Sequence, residues 1–405
     1  MIGRRSVLVV GGGSVGLAVA ALLGSGSYAE ALQVVLLEPR SIPKWDPKHI
    51  DLRVYALSRA SQWMLQRIGA WRYISEARVS PYRRMRVWES SPISGLGSLD
   101  FDSADIGEPD LGHIVEDALL REALLRQLET LPNVELRLGL GLDKIEVGPR
   151  DVRVTTGNGE ILSGNLLIAA DGSDSRVRTL LGLSVSGAPY GQKAIVTHVD
   201  TRKEHMETAW QRFLKTGPLA FLPLTDGRSS VVWSMSSQHA DSLLEQSSKE
   251  FINQLEVASG GILGGVDSVS ARASFKLRVM HLRQYCCPRV VLVGDAAHIV
   301  HPLAGQGMNM GFMDAVEIVN IIENALSRGE DPGDLRTLRR YERNRKGENL
   351  KMLLALDGLN RFFRFPGISL LRVAGLSVVD TASPVKFALM REALGLSKQA
   401  SDFFR

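Results

Sequence analysis

Ser6-Val7-Leu8-Val9-Val10-Gly11-Gly12-Gly13-Ser14-Val15-Gly16 is the stretch that decides the fold of this chain. An apolar run of strand length breaks into glycines and then enters the alanine-rich apolar pattern Leu17 to Leu23, which predicts strand, tight turn and helix. Gly11 lets the chain turn, Gly13 has no side chain to hold a pyrophosphate off the backbone, and Gly16 lets the helix pack closely on the strand. The free N–H groups and positive dipole end of that helix then face the anion. A second apolar run, Gln33-Val34-Val35-Leu36-Leu37, ends at Glu38, 22 residues beyond Gly16. A carboxylate there accepts hydrogen bonds from a ribose with free hydroxyls and disfavours a 2′-phosphate. Alone, Gly-x-Gly-x-x-Gly is a weak signal that a plain strand-to-helix turn also produces. Strand, helix, second strand and acid at the expected distances make it a dinucleotide fingerprint.

With 405 residues the chain is long for one core and suggests two or three domains, or one large domain carrying an insertion. A hydrophobic content of 44% and a mean hydropathy of zero describe a globular protein that can bury a sizeable core. No stretch reaches the roughly 18 apolar residues of a membrane span. Val7 to Val10 runs straight into the glycine turn rather than into a cleavage site, so the expected compartment is the cytoplasm. Cys286 and Cys287 are adjacent, which fits neither a disulfide framework nor a zinc site, and they read as strand-entry residues before Pro288. Net charge is +4, unevenly spread: from Asp334 onward 14 Lys or Arg face 7 Asp or Glu, so this tail carries +7. An acidic partner or an anionic membrane surface would suit it, as would a solvated helix face. No nucleic-acid partner is expected.

After Glu38 a polar connector, Pro39 to Asp46, leads to Asp51-Leu52-Arg53-Val54-Tyr55-Ala56-Leu57-Ser58. Arg53 is a candidate phosphate or cofactor contact, since a guanidinium offers several fixed donors. Ser58 to Ile68 has helical spacing, with Trp63, Leu65 and Ile68 as core. Met85 to Glu89 alternates like a strand, Gly95 to Asp110 reads as loop-rich, and a helix runs from Ala118 to Leu128. Val134 to Leu138 and Val152 to Thr156 read as strands. Next comes Leu166-Leu167-Ile168-Ala169-Ala170-Asp171-Gly172, followed by Ser175, Arg176 and Arg178: a buried strand delivers an acid and a glycine at its C-terminal edge, where ligands sit in open α/β sheets. A turn and helix cap is the alternative reading of Asp171-Gly172. From Ser184 to Phe275 alternating segments predict an antiparallel sheet inserted into the dinucleotide fold, one face roofing the cofactor. The chain then returns with Val290 to Val293, Gly294-Asp295-Ala296-Ala297-His298 and His301-Pro302-Leu303-Ala304-Gly305-Gln306-Gly307-Met308-Asn309, again strand, acid, glycine-broken loop and helix. Gly305, Gly307 and the first N–H groups of that helix make an anion-friendly concavity. His298 and His301 have no third ligand at metal spacing, so no metal is expected and both are read as lining the cofactor.

Three separated elements carry a resemblance over essentially the whole chain: Gly11-x-Gly13-x-x-Gly16, Asp171-Gly172 with Ser175 and Arg178, and Gly294 to His298 with Pro302 to Gly307. In this order the chain resembles the single-component FAD-dependent aromatic hydroxylases, the class A flavoprotein monooxygenases. Asp51-x-Arg53-x-x-Ala56-Leu57-Ser58, Gly112 to Glu116 and His301 to Asn309 make it similar to their ubiquinone-biosynthesis branch. The fold this implies is α/β and p-hydroxybenzoate hydroxylase-like. A Rossmann-like FAD-binding domain (1–80, 111–183 and 280–330) carries an inserted β-sheet substrate domain (81–110 and 184–279), and a C-terminal helical region (331–405) follows. By the resemblance, Gly11, Gly13, Gly16 and Glu38 hold the ADP half of FAD and Arg53 approaches the isoalloxazine or pyrophosphate. Asp171 belongs to the element shared between FAD and NAD(P)H, and Asp295 binds the ribityl or pyrophosphate. Pro302, Gly305, Gly307, Met308 and Asn309 border the flavin ring. Asp117 stands where relatives place an amide or arginine, so no contact is assigned to it.

The resemblance further implies that NAD(P)H, as co-substrate, reduces FAD and that oxygen passes through a flavin hydroperoxide to an electron-rich carbon of a phenol, a polyprenylated one in ubiquinone biosynthesis. The protein positions that carbon and excludes water, which needs no catalytic triad or metal. The catalytic residues are unknown at this stage; Tyr190 and His198 are candidates for a base acting on the phenol. Apolar and basic residues at helical spacing in Leu353 to Leu359, Arg361 to Phe365, Leu370 to Ala374 and Val385 to Leu389 fit contact with the inner-membrane surface or a quinone-biosynthesis complex, or packing on the FAD domain. A homo-oligomer stays open. Hydroxylation of another aromatic substrate, FAD-dependent reduction of prenyl double bonds, and a non-catalytic FAD-binding scaffold are the rival functions.

Overall fold

Buried β-branched and leucine runs become the strands of a central sheet, because two covered faces leave no place for polar alternation. In this computed structural model, which describes residues 4–89, 97–301, 305–365, 376, 379, 380 and 382–396, the first is β1 (Arg5–Val10). The glycine turn delivers it into α1 (Ser14–Ser25) and then β2 (Leu32–Glu38). There follow β3 (Val54–Leu57), α2 (Arg59–Arg67), α3 (Trp71–Ala77), β4 (Ser80–Tyr82), β5 (Arg84–Trp88), β6 (Ser98–Asp102), β7 (Gly112–Glu116) and α4 (Asp117–Leu128). The first half ends with β8 (Val134–Leu138), β9 (Leu142–Val147), β10 (Val152–Thr156), β11 (Ile161–Gly164), β12 (Leu166–Ala169) and α5 (Arg176–Leu180). The second half opens with β13 (Val185–Thr201), β14 (Thr208–Leu214), β15 (Gly217–Pro223), β16 (Ser229–Ser236), α6 (Ser237–Glu245), α7 (Ser248–Ser259), β17 (Val266–Val269) and β18 (Ala273–Leu282). It closes with β19 (Cys286–Cys287), β20 (Val290–Leu292), β21 (His298–Ile299), α8 (Gln306–Ser327), α9 (Leu335–Arg364) and α10 (Ser383–Ala393).

The first sheet runs β19-β20-β12-β1-β2-β8 and is parallel except at β19. Val7, Val9, Val34, Leu36, Ile168 and Val291 in it are fully buried, each worth roughly 1.5–3 kcal/mol of apolar transfer. The two cysteines open the β19–β20 pair, and burial pushes the Cys286 thiol up to about 12. A structural role follows for a thiol that stays protonated.

The large sheet runs β21-β18-β13-β16-β15-β14-β5-β6, with β17 pairing β13. Its pairs are antiparallel except β14 with β5. Part of the stretch read as loop-rich is strand: Ser98-Leu99-Asp100-Phe101-Asp102 pairs with Arg84 to Trp88, a short alternation that flanking glycines and acids obscure in the sequence. One face carries Ile195, Val199, Leu219, Phe221, Val231 and Trp233 against Ala240, Leu243, Phe251 and Leu255 of α6 and α7. On the other face, Val87, Leu99 and Phe213 meet Val300, Met310 and Leu353, Leu356 and Phe363 of α9, with Phe213 stacked on Phe363 at 3.7 Å. Leu222 and Leu224 on that side meet Ala56 and Ile114 of the small β3-β7-β4 sheet. The inner face of the large sheet therefore looks toward the loops at the ends of the first sheet. The expected run Leu370 to Ala374 and the loop residues Pro302, Leu303 and Ala304 lie outside the described residues.

Candidate functional site

Parallel strands β12, β1 and β2 end side by side, so their C-terminal turns are forced together. Gly11 N donates to Leu37 O at 2.8 Å and takes φ +110°, and a Cβ on it would stand 2.4 Å from Ala170 O. At Gly16 a Cβ would stand 1.9 Å from Gly11 O. Gly13 is different: it is exposed, and nothing lies within 4 Å of where its Cβ would be. Two glycines serve the packing of the chain and the third keeps a space open. Glu38 sits at this turn, its Oε2 accepting from Gly12 N at 2.6 Å and its Oε1 from Arg40 N at 3.0 Å.

Neither α1 nor α8 has a capping side chain or an acid in its first turn. By contrast Ser58, Ser175 and Ser247 cap α2, α5 and α7. Without a cap, the N-termini of α1 and α8 leave their N–H groups available to an anion. Gly305 begins α8 at φ +64°, against Ala56, and Gly307 and Met308 follow half-buried in its first turn.

Asp171 both caps and lines the site. Its Oδ2 accepts from Val177 N at 3.0 Å, anchoring α5, while Oδ1 is buried without a partner. Desolvation raises its pKa against the hydrogen bonds from Ser175, Val177 and Arg176. Arg178 then joins two signature turns, donating to Ser173 O at 2.7 Å and to Ala296 O at 3.0 Å. Asp295 is exposed at the turn after β20; desolvation by the surrounding protein raises its pKa, with His298, Arg53 and Arg278 acting in the opposite direction. Arg53 is exposed, close enough to Asp295 to interact with it electrostatically, and its carbonyl accepts from Asp117 N at 2.9 Å. Asp117 is satisfied within the protein, by Tyr55 Oη at 3.1 Å and Arg121 at 2.7 Å.

Several side chains differ from their sequence reading. Asn309 is buried and saturated: its Oδ1 accepts from Ser58 N at 3.0 Å and Ser61 Oγ at 2.8 Å, and its Nδ2 donates to Ala56 O at 3.0 Å. It pins α8 to the β3–α2 turn. His298, expected to line the cofactor, instead turns inward onto Asp314 Oδ2 at 2.5 Å. Asp314, fully buried, also accepts from Gly294 N at 3.0 Å, Arg345 Nε at 2.7 Å and Asn349 Nδ2 at 3.1 Å. His298 and Arg345 hold its pKa well below the usual carboxylate range despite burial. This network fixes the turn that presents Asp295. Its only sequence signal is an acid in the apolar stripe of α8. A second network was equally hidden: Arg78 pairs with buried Glu116 at 2.7 Å and donates to Pro47 O and His49 O, each at 3.0 Å, tying down the connector before Arg53.

Of the two candidate bases, Tyr190 donates to Asp357 Oδ1 at 2.8 Å, and burial with that carboxylate pushes its phenol pKa up, so it is a poor proton acceptor. His198 is buried on the inner face opposite Ser230; burial brings it down to about 4, and its Nε2 has no partner. Across the same face one row of paired residues runs Val196, Val232, Ala220, Gln211, Val87 and Leu99. Val196, Val232 and Ala220 in it are half-buried, a small-residue apolar roof. Among the described residues no group of His, Cys, Asp and Glu could hold a metal.

Residues 4–352 match the family described as FAD binding domain. Ubiquinone biosynthesis monooxygenase COQ6 of Xenopus tropicalis is 34% identical over 95% of this chain and 92% of its own length. The 3-demethoxyubiquinol 3-hydroxylase of Escherichia coli K12 is 33% identical over 96% and 98%. The chain belongs to the FAD-dependent aromatic hydroxylases, in their ubiquinone-biosynthesis branch. Among solved structures, p-nitrophenol 4-monooxygenase PnpA from Pseudomonas putida DLL-E4 superposes with a TM-score of 0.75 over 99% of both chains at 20% identity, which shows the fold. This hydroxylase therefore uses FAD, with NAD(P)H as the family's co-substrate. The residues present fit FAD: an open Gly13, two uncapped helix N-termini and an acid on each of three adjacent turns.

Proposed function

We propose that this FAD-dependent monooxygenase hydroxylates the ring of a polyprenylated phenol in ubiquinone biosynthesis. The observation that carries the substrate class is the inner-face row. Val196, Val232 and Ala220, half-buried side by side, offer an apolar roof with no cation in its row, whereas an aromatic acid would call for an arginine or lysine there. The name of the E. coli relative, a hydroxylase of a ubiquinol precursor, supports the same reading.

FAD supplies the redox and oxygen-transfer chemistry. Gly11, Gly13, Gly16 and Glu38 hold its ADP half, with Glu38 on the ribose. Arg53, Asp171 and Asp295 would face its middle, and Gly305, Gly307, Met308 and the turn that Asn309 anchors would border the ring. The inner-face row would orient the phenol and exclude water, and His198, neutral beside that row, is the candidate to accept its proton. The division into FAD-binding parts (1–80, 111–183, 280–330), substrate sheet (81–110, 184–279) and C-terminal helices (331–405) belongs to this proposal.

Among the described residues no helix is long and apolar enough to cross a membrane. Leu350, Leu354, Phe362 and Phe365 nevertheless stand exposed along α9 beside Lys351 and Arg361, with Val385 and Leu389 on α10. This stripe supports peripheral contact with the membrane that holds the substrate's tail. NAD(P)H oxidation and oxygen uptake, measured with a prenylated phenol and with a soluble aromatic acid, test the function. Coupled uptake with the prenylated compound is expected. Coupling only with the acid would overturn the substrate class, and no oxygen uptake with either would overturn the hydroxylation.

A further inference from the structure

On the face of the large sheet that carries α6 and α7, away from the cofactor, Arg212 is paired across the strands with Leu219, and Leu219 with Trp233. Its Nη1 donates to Ala258 O at 2.8 Å, at the end of α7. Gly260, at φ +68°, makes room for it, since a Cβ there would stand 2.9 Å from Nη1. Burial lowers the guanidinium's pKa, and no carboxylate offsets that. Neither Arg212 nor nearby Lys215 has a salt-bridge partner among the described residues. Arg212 Nε and the indole Nε1 of Trp233 are buried without an acceptor, as are the indole nitrogens of Trp88 and Trp210 on the adjoining strands. The guanidinium is thus held by a backbone carbonyl and by no carboxylate, which leaves its charge open to an anion at the surface beside it.

A groove of about 520 Å³ opens at this point. Leu214, Trp233, Val257 and Ala258 line it together with Arg212, Lys215 and neutral polar residues of α7 and the β14–β15 turn. Val257 is 81% exposed, an apolar residue with no protein cover. The size falls within the range of small-molecule sites.

We propose that this groove binds an anionic amphiphile, a carboxylate on an apolar body, with Arg212 and Lys215 meeting the head and Trp233, Leu214 and Val257 the body. The site is separate from the phenol cleft, because Leu219 and Trp233 point to the opposite side of the sheet from Ala220 and Val232. Decanoate is the probe, titrated calorimetrically into the FAD-loaded full chain, with acetate (charge without body) and decanol (body without charge) alongside. Decanoate should bind, and each control should be at least about tenfold weaker, the loss expected when a charged hydrogen bond or its apolar partner is removed. Arg212→Gln should weaken decanoate by about tenfold or more and Lys215→Gln by a few-fold. Val257→Asp, at an exposed position that does not bear on folding, should weaken it through like charge. Undetectable decanoate binding, equal affinity for decanol, or binding unchanged in both Arg212→Gln and Val257→Asp would each overturn the proposal.

Discussion

At the ends of β1, β12 and β20 it is backbone that stands open to a ligand, at Gly13 and at uncapped helix termini. Across the inner face of the large sheet the backbone is consumed by the strand ladder, and only side chains are left to meet a ligand. At Gly11 and Gly16 the first arrangement tolerates almost no substitution, because a Cβ there would run into backbone. The second can be refitted residue by residue, and one fold can thereby hold one cofactor while accepting many phenols.

The comparison is broken most readily within the glycine turn itself. Gly16→Ala places a Cβ 1.9 Å from Gly11 O, so little folded protein is expected, a loss above about 3 kcal/mol by thermal or urea unfolding. Gly13→Ala meets no protein atom and should melt like the parent while binding FAD at least about tenfold more weakly by fluorescence titration. Equal melting losses in the two variants would show that the open space at Gly13 is not reserved for the cofactor.

Asp314→Asn tests whether the crevice depends on charge buried behind it. Removing one partner of a buried network costs about 3–5 kcal/mol, and FAD should be released more easily as the Gly294–Asp295 turn loosens. Asp314 has a depressed pKa in the folded state, so its contribution is present above the unfolded value near 4 and is lost as pH falls below it. The parent should therefore lose stability in that acid range, and the variant should lose less.

On the substrate face His198 acts in the same direction over a higher pH window. The unfolded chain takes its proton near 6.5 and the folded chain only near 4, so stability falls as pH drops between those values, by up to about 3 kcal/mol. His198→Gln should flatten that slope and slow turnover without changing flavin content. A turnover rate and pH–rate profile identical to the parent would remove His198 as the proton acceptor. The smallest effect is expected from Ala220→Phe, which fills the roof: KM for the phenol should rise about tenfold with FAD affinity unchanged.

The same contrast explains what the sequence disclosed. Gly11, Gly13, Gly16, Glu38, Asp171 and Asp295 sit at fixed offsets from apolar strands, and the parallel order of β12, β1 and β20 brings their turns together. That part was legible because local spacing determines it. The inner-face row was not, since Val196, Val232, Ala220 and Gln211 become neighbours only through strand register, and each looks like an ordinary sheet residue in the chain. Asp314 with Arg345, and Glu116 with Arg78, were hidden for a related reason: their partners lie 31 and 38 residues away. His298 and Asn309 stood inside recognisable motifs, yet their side chains serve the protein's own turns.

Visible absorbance of the freshly purified chain, followed by FAD titration of the stripped protein, bears most directly on the claim that three distant turns form one flavin site. One tightly held FAD per chain, lost in Gly13→Ala while the fold persists, is the result predicted. A cooperatively folded but colourless chain that takes up no FAD would contradict it.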